Sequence, residues 1–258
     1  MKQILKYTLL LSAFSTAVSA SYAQNEGDYR SAGNGNWTDI SIWETYDGTS
    51  WRGSEIYPGA NDGVISILPE NNVNLNSHLT LDELNVEGSL TVCNDVVMTL
   101  AGDITVNGIM SVDGALLCGT NTVHGVGAFF LSTESTLQIG STEGITMSGN
   151  KGNIQTYNRL FSKSANYVYS GNKAQFTGNG LPAPMLDGKL TLDNRKGCTL
   201  SNNIVISKQL ILSEGVFCLN GNTMTVNSNN LISKAEGSIE ICGGLLQGSS
   251  SPLLLNSN

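Results

Sequence analysis

The segment Glu83-Leu84-Asn85-Val86-Glu87-Gly88-Ser89-Leu90-Thr91-Val92 returns twenty residues later as Asp103-Ile104-Thr105-Val106-Asn107-Gly108-Ile109-Met110-Ser111-Val112, apolar residues and central glycine in register. A unit this short cannot bury its own apolar face, and copies become stable only by stacking along one axis around a continuous core. Within each copy, apolar side chains fall at every second position, as on a short β-strand. The rhythm starts at Val64-Ile65-Ser66-Ile67, passes through Val73-Asn74-Leu75 and Leu79-Thr80-Leu81, and resumes late in the chain at Leu190-Thr191-Leu192 and Leu210-Ile211-Leu212. Three strands and three turns fill twenty residues, so the predicted fold is all-β: a right-handed parallel β-helix of nine or ten coils, a rod about 45 Å long. Leu84, Val86, Leu90, Ile104, Val106 and Met110 are expected to share its core. The rival is an antiparallel sandwich, because Asp62-Gly63, Asn107-Gly108, Asp113-Gly114, Asn179-Gly180 and Asn220-Gly221 resemble hairpin turns. Against it, the apolar pattern returns with the same polarity after each interval.

Four regions follow. Lys2 and Lys6, the apolar run Tyr7 to Val18 and small residues before Ala20 and Ala23 make residues 1–23 an expected secretory signal peptide. Residues 24–62 hold all three tryptophans, Trp37, Trp43 and Trp51. They read either as a ligand-facing, sugar-stacking platform or as the cap that the open first coil of a solenoid requires, and their position just before the repeats favours the cap. Residues 63–155 and 156–258 are expected to be two β-helix modules, since the pattern loosens between about 150 and 188. There Tyr157, Phe161, Tyr167, Tyr169 and Phe176 are followed by Gly178-Asn179-Gly180-Leu181-Pro182 and Pro184.

Removal of residues 1–23 leaves 11 basic and 21 acidic residues, a formal charge of −10, which disfavours nucleic acid as a partner. No later apolar stretch is long enough to span a membrane. The 29 glycines and 28 asparagines fit a chain that must turn several times per coil, because both tolerate positive φ. Cys93, Cys118, Cys198, Cys218 and Cys242 show no C-x-x-C spacing, which disfavours zinc. Cys198 and Cys218 lie twenty apart, in step with Leu190/Leu210, and read either as an inter-coil disulfide or as two buried thiols.

The residues then become recognisable. Trp37, Trp43 and Trp51, Pro58-Gly59-Ala60-Asn61-Asp62-Gly63-Val64, Tyr167-Val168-Tyr169-Ser170-Gly171, Gln175-Phe176-Thr177-Gly178-Asn179-Gly180-Leu181-Pro182, and Gln209-Leu210-Ile211-Leu212-Ser213-Glu214-Gly215 resemble parallel β-helix regions of secreted, adhesin-like surface proteins of Bacteroidetes-type bacteria. The resemblance implies a secreted or outer-surface location and a non-catalytic role, with extracellular glycans or surface proteins as partners. Such proteins commonly end in a type IX secretion sorting domain. Here the sequence stops at Leu253-Leu254-Leu255-Asn256-Ser257-Asn258, so the second module is expected to be incomplete and to self-associate through its open last coil.

Parallel β-helices also carry polysaccharide lyases and glycosidases, and a passive spacer is a third reading. The densest acids, Asp82, Glu83, Asp95, Asp103 and Asp113, sit singly at strand ends, where Asp is ordinarily a turn residue. His78 and His124 lack a nucleophile or ligand partner in the sequence, and Arg195-Lys196 reads as an exposed turn pair. Catalytic, cofactor and metal residues are therefore expected to be none; calcium on the acidic surface stays open, though the calcium-binding nonapeptide pattern is absent.

Overall fold

The computed structural model describes residues 24–226 and 231–248. The first coil contains β1 (Tyr29–Ser31) and β2 (Gly35–Asn36). A 3-10 turn (Ile40–Ile42) leads to β3 (Trp43–Tyr46) and β4 (Trp51–Gly53), which pair antiparallel on the outer side of β1. Three coils of nearly equal build follow: β5 (Ile65–Ile67), β6 (Asn72–Leu75) and β7 (Leu79–Leu81); β8 (Leu84–Val86), β9 (Ser89–Val92) and β10 (Val97–Leu100); β11 (Ile104–Val106), β12 (Ile109–Val112) and β13 (Ala115–Leu117). In the next two coils, single long strands run through both of the first two faces: β14 (Val123–Leu131) with β15 (Thr136–Ile139), then β16 (Ile154–Phe161) with β17 (Asn166–Tyr169). The remainder comprises β18 (Gln175–Phe176), β19 (Met185–Leu186), β20 (Lys189–Asp193), β21 (Cys198–Thr199), β22 (Ile204–Ile206), β23 (Gln209–Cys218), β24 (Thr223–Val226), β25 (Leu231–Glu240) and β26 (Leu245–Gly248).

Outside β3 and β4, the described ladders are parallel, and the chain is a β-solenoid of about nine turns. The antiparallel rival is thereby excluded. Ile104 lies over Leu84, Val106 over Val86 and Met110 over Leu90, and none of the six is more than 2% exposed. Each such burial contributes on the order of 1.5–3 kcal/mol. No helix among the described residues is long and apolar enough to cross a membrane.

The corners are held by two devices. At Asn107-Gly108 the glycine is required by proximity rather than by backbone conformation. Its φ lies outside the left-handed region, but a Cβ there would overlap the carbonyl oxygens of Gly88 and Glu87 in the coil below. Asn220-Gly221, by contrast, does use positive φ, at 49° and 76°. The second device is the side-chain amide. Asn153, fully buried, donates to the carbonyls of Gly119 and Asn121 and accepts from the N–H groups of Gly140 and Ser141. Gln175 repeats this one coil on, donating to Ile139 and Ser141 and accepting from Gly171 and Asn194. With all four of its bonds made, each amide closes a corner that the backbone ladder leaves open.

The expected boundary between modules, at 155/156, falls inside β16, and one buried cluster runs from Tyr29 to Val226. What changes there is two of the three faces, because β14 and β16 carry both the first and the second. The sheet containing β6, β9, β12, β14 and β16 ends at β16, and a separate sheet, β19-β22-β24-β26, begins beyond it. The ladder β7-β10-β13-β15-β17-β20-β23 continues without interruption. The loosened sequence pattern thus marks a break in two faces of a continuous core, the first face resuming as β18 and β21 beside the end of β23.

The cysteines follow neither reading of Cys198 and Cys218 in full: Cys198 is a buried thiol and Cys218 is in a disulfide with another partner. Cys198 lies over Phe217 and Thr199 over Cys218, because a bulge in β23 and a shorter following turn make the local interval nineteen. One residue of offset puts Cys198 in the core and Cys218 outside. Burial pushes the Cys198 thiol up to about 12. Cys218 instead bonds Cys242, with Cα atoms 5.7 Å apart, and ties the last two described coils together. The loop closed spans 24 residues. Cys242→Ser is therefore expected to cost about 3 kcal/mol in that region. Limited proteolysis should detect it as early cleavage near residues 219–248 in the variant and in reduced wild type; equal resistance would show that the clamp is unimportant. The signal-peptide segment and Leu253, Leu254 and Leu255, on which the self-association expectation rests, lie outside the described residues.

Candidate functional site

In the tryptophan region two of the three rings lie in the interior. Trp37 and Trp43 are at most 1% exposed, their rings meet edge to face at 4.8 Å, and each indole N–H is satisfied internally, Trp37 by the Pro58 carbonyl and Trp43 by that of Trp37. Neither faces a ligand, which corrects the platform reading. Trp51 is half-buried, with the Arg30 guanidinium 4.5 Å from its ring centroid and Tyr46 at its side. Arg30 is held in turn by Glu44.

The acidic set is divided between two corners of the rod. Asp82, Glu83 and Asp103 lie in the turns that precede β8 and β11, whereas Asp95 and Asp113 lie in the turns that follow β9 and β12. Asp82 accepts from the Glu83 N–H within its own turn, and Asp103 accepts from the Thr122 N–H one coil above. Asp113 accepts from the Ser132 hydroxyl one coil above. His78 Nδ1 accepts from the Val97 N–H and links two coils, and His124 stands on the outer row of β14. Arg195 bridges Glu214 and Glu236 on the surface. Among the described residues, no three His, Cys, Asp or Glu side chains group as they would to hold a metal ion.

The surface feature that stands out lies at the break in the second face. Strand alternation places Phe129 and Leu131 inside and therefore turns Phe130 outward; in the next coil it does the same to Leu160, which is paired with Phe130. At their C-terminal ends opens a groove of about 800 Å³ lined by Asn94, Asp113, Phe130, Ser132, Thr133, Leu160 and Lys163. On the opposite edge of the same face a register shift between Gly125 and Ala128 throws out Val126 and its neighbour Tyr157, 75% and 79% exposed. Leu160 is 60% exposed, and Ile109 two coils below is also exposed.

Two polar contacts shape this site, and neither was legible in the sequence. Arg159 occupies the inward position that Phe129 holds in the preceding coil, yet it is a cation. Its guanidinium donates to the carbonyls of Thr156, Thr146, Ile154 and Gly149 and to the Thr146 hydroxyl. Burial lowers its pKa from the ordinary arginine value. It thereby pins the loop before β16 and fixes the strand that presents Leu160. Across the break, Lys163 pairs with Asp187 at 2.8 Å, while its carbonyl accepts from the N–H groups of Asp187 and Gly188. The hydrogen bond from Lys163 holds the Asp187 carboxyl below its ordinary value.

A carboxylate depressed by folding stabilises above its unfolded pKa, and that contribution is lost as pH falls through the lower, folded value. The thermal midpoint should therefore drop below about pH 4, and drop less in Asp187→Asn. Parallel curves for the two proteins in a thermal melt series from about pH 6 to pH 2 would rule out this linkage. No protein-family model, no curated protein and no solved structure matches this chain.

Proposed function

We propose that the protein is an exported, adhesin-like β-solenoid that acts at the cell surface as a non-catalytic interaction module, with extracellular glycans or surface proteins as partners. The observation that carries this reading is the row of large apolar side chains on one face, Phe130, Tyr157 and Leu160, set beside the polar-rimmed groove. A rigid coil ladder holds these residues in solvent, where they lower the solubility of the chain unless something covers them. The leader-like residues 1–23 and the resemblance to secreted surface proteins support the location.

The test is a binding screen of the exported chain against neutral and acidic glycans and intact cell surfaces, run with an assay for reducing ends and unsaturated uronates, with and without calcium. The expected result is reversible binding without turnover, weakened at least about tenfold by Phe130→Ser and Leu160→Ser, the range expected of central apolar contacts. Turnover abolished by Asp113→Asn would instead make the protein a carbohydrate-active enzyme. No binding in any arm would leave a passive spacer.

A further inference from the structure

We infer that the apolar face on β12, β14 and β16 is the contact between two copies of this chain. The inference rests on the interaction-module reading and names the partner of that face. Its outward rows contain Asn36, Asn74, Thr91, Ser111, Phe130 and Leu160 in one line of register and Asn72, Ser89, Ile109, Ala128 and Asn158 in the next. None of these residues is charged, although the full chain carries −8. Two acidic rods repel each other least where their facing surfaces hold no carboxylates.

The rows also change character along the rod. Asparagine, serine and threonine occupy the early coils, and Ile109, Phe130 and Leu160 occupy the later ones, with Val126 and Tyr157 at the edge. Those five side chains expose roughly 500 Å², the upper range for a single patch on a monomer. Two such patches placed face to face bury about 1,000 Å², where specific though weak interfaces begin. Sheet faces pack at about 10 Å separation, which suits side chains of the size of Leu160 and Tyr157 interdigitating. A second copy covers the aliphatic side chains Ile109, Val126 and Leu160 with apolar surface of its own, so that no polar group is left unpaired against them.

Sedimentation velocity of the exported chain should show reversible dimerisation with a Kd on the order of 10–100 µM. Leu160→Lys combined with Tyr157→Lys should leave it monomeric over the whole range. Asn158→Lys, at a position already exposed, should produce the same loss without removing an apolar contact. Ile56→Lys, on the cap, should leave dimerisation unchanged. A wild-type chain that stays monomeric at about 500 µM, well above that range, would overturn the inference. So would a dimer that survives both lysine variants, or one lost only when Leu253 and Leu255 are charged. Glycan and cell-surface binding measured on the same samples separates the two ideas. A monomer that still binds keeps the interaction-module reading and removes this inference, whereas a dimer that binds nothing else does the reverse.

Discussion

Ile104→Asp should abolish the cooperative thermal transition of the chain and leave the N-terminal coils open to protease at room temperature. Ile104 is fully buried, lies between Leu84 below and Val123 above, and belongs to the most regular part of the rod. The substitution removes an apolar side chain worth on the order of 1.5–3 kcal/mol and places a carboxylate where no partner exists, a further cost of several kcal/mol. The total rivals the 5–15 kcal/mol by which a typical domain is stable. Because each coil is stabilised by its neighbours, the damage spreads along the rod in both directions. Ile104→Val is the control and should cost only about 1 kcal/mol. Circular dichroism melts of the two variants decide the matter, and an Ile104→Asp midpoint near that of wild type would contradict the stacked core.

Gly108→Ala carries the second largest expected effect, about 3 kcal/mol or more, for a change of one methyl group. The added carbon would meet the carbonyl oxygens of Gly88 and Glu87, which are backbone atoms of the coil beneath and cannot rotate away. The ladder from β9 to β12 must open to admit it. Gly221→Ala, at a position with positive φ but open space around it, isolates backbone strain and should cost less. If both substitutions cost the same, close approach is not what selects glycine at this corner.

The fold was legible because two independent signals agree in its regular part. Alternation sorts Leu84, Val86, Ile104 and Val106 inward, and the twenty-residue return places them over one another. The candidate site was illegible because both signals fail there. Neighbouring apolar residues at Phe129-Phe130 force one of the pair outward, but alternation alone does not say which. Arg159 reads as a surface residue, since only the loop carbonyls that surround it make burial tolerable. Trp37 and Trp43 could be placed in the cap but not in its interior, as the Pro58 and Trp37 carbonyls that satisfy them are long-range or irregular contacts. Counting from the leucines puts Cys198 and Cys218 in step, and the bulge in β23 with the shorter turn after it offsets them by one residue.

The break between β16 and β19 decides how this rod answers tension. Inter-coil hydrogen bonds point along the axis, so a pull on the two ends loads them head-on and parts neighbouring coils like pages rather than shearing strands past each other. Where every face carries a ladder, the force is shared around the perimeter. At the break, the uninterrupted face beside it takes the larger share, with the Lys163–Asp187 contact as the tie on the open side. The rod should therefore bend first at this level, hinging on the continuous face and gaping beside Leu160.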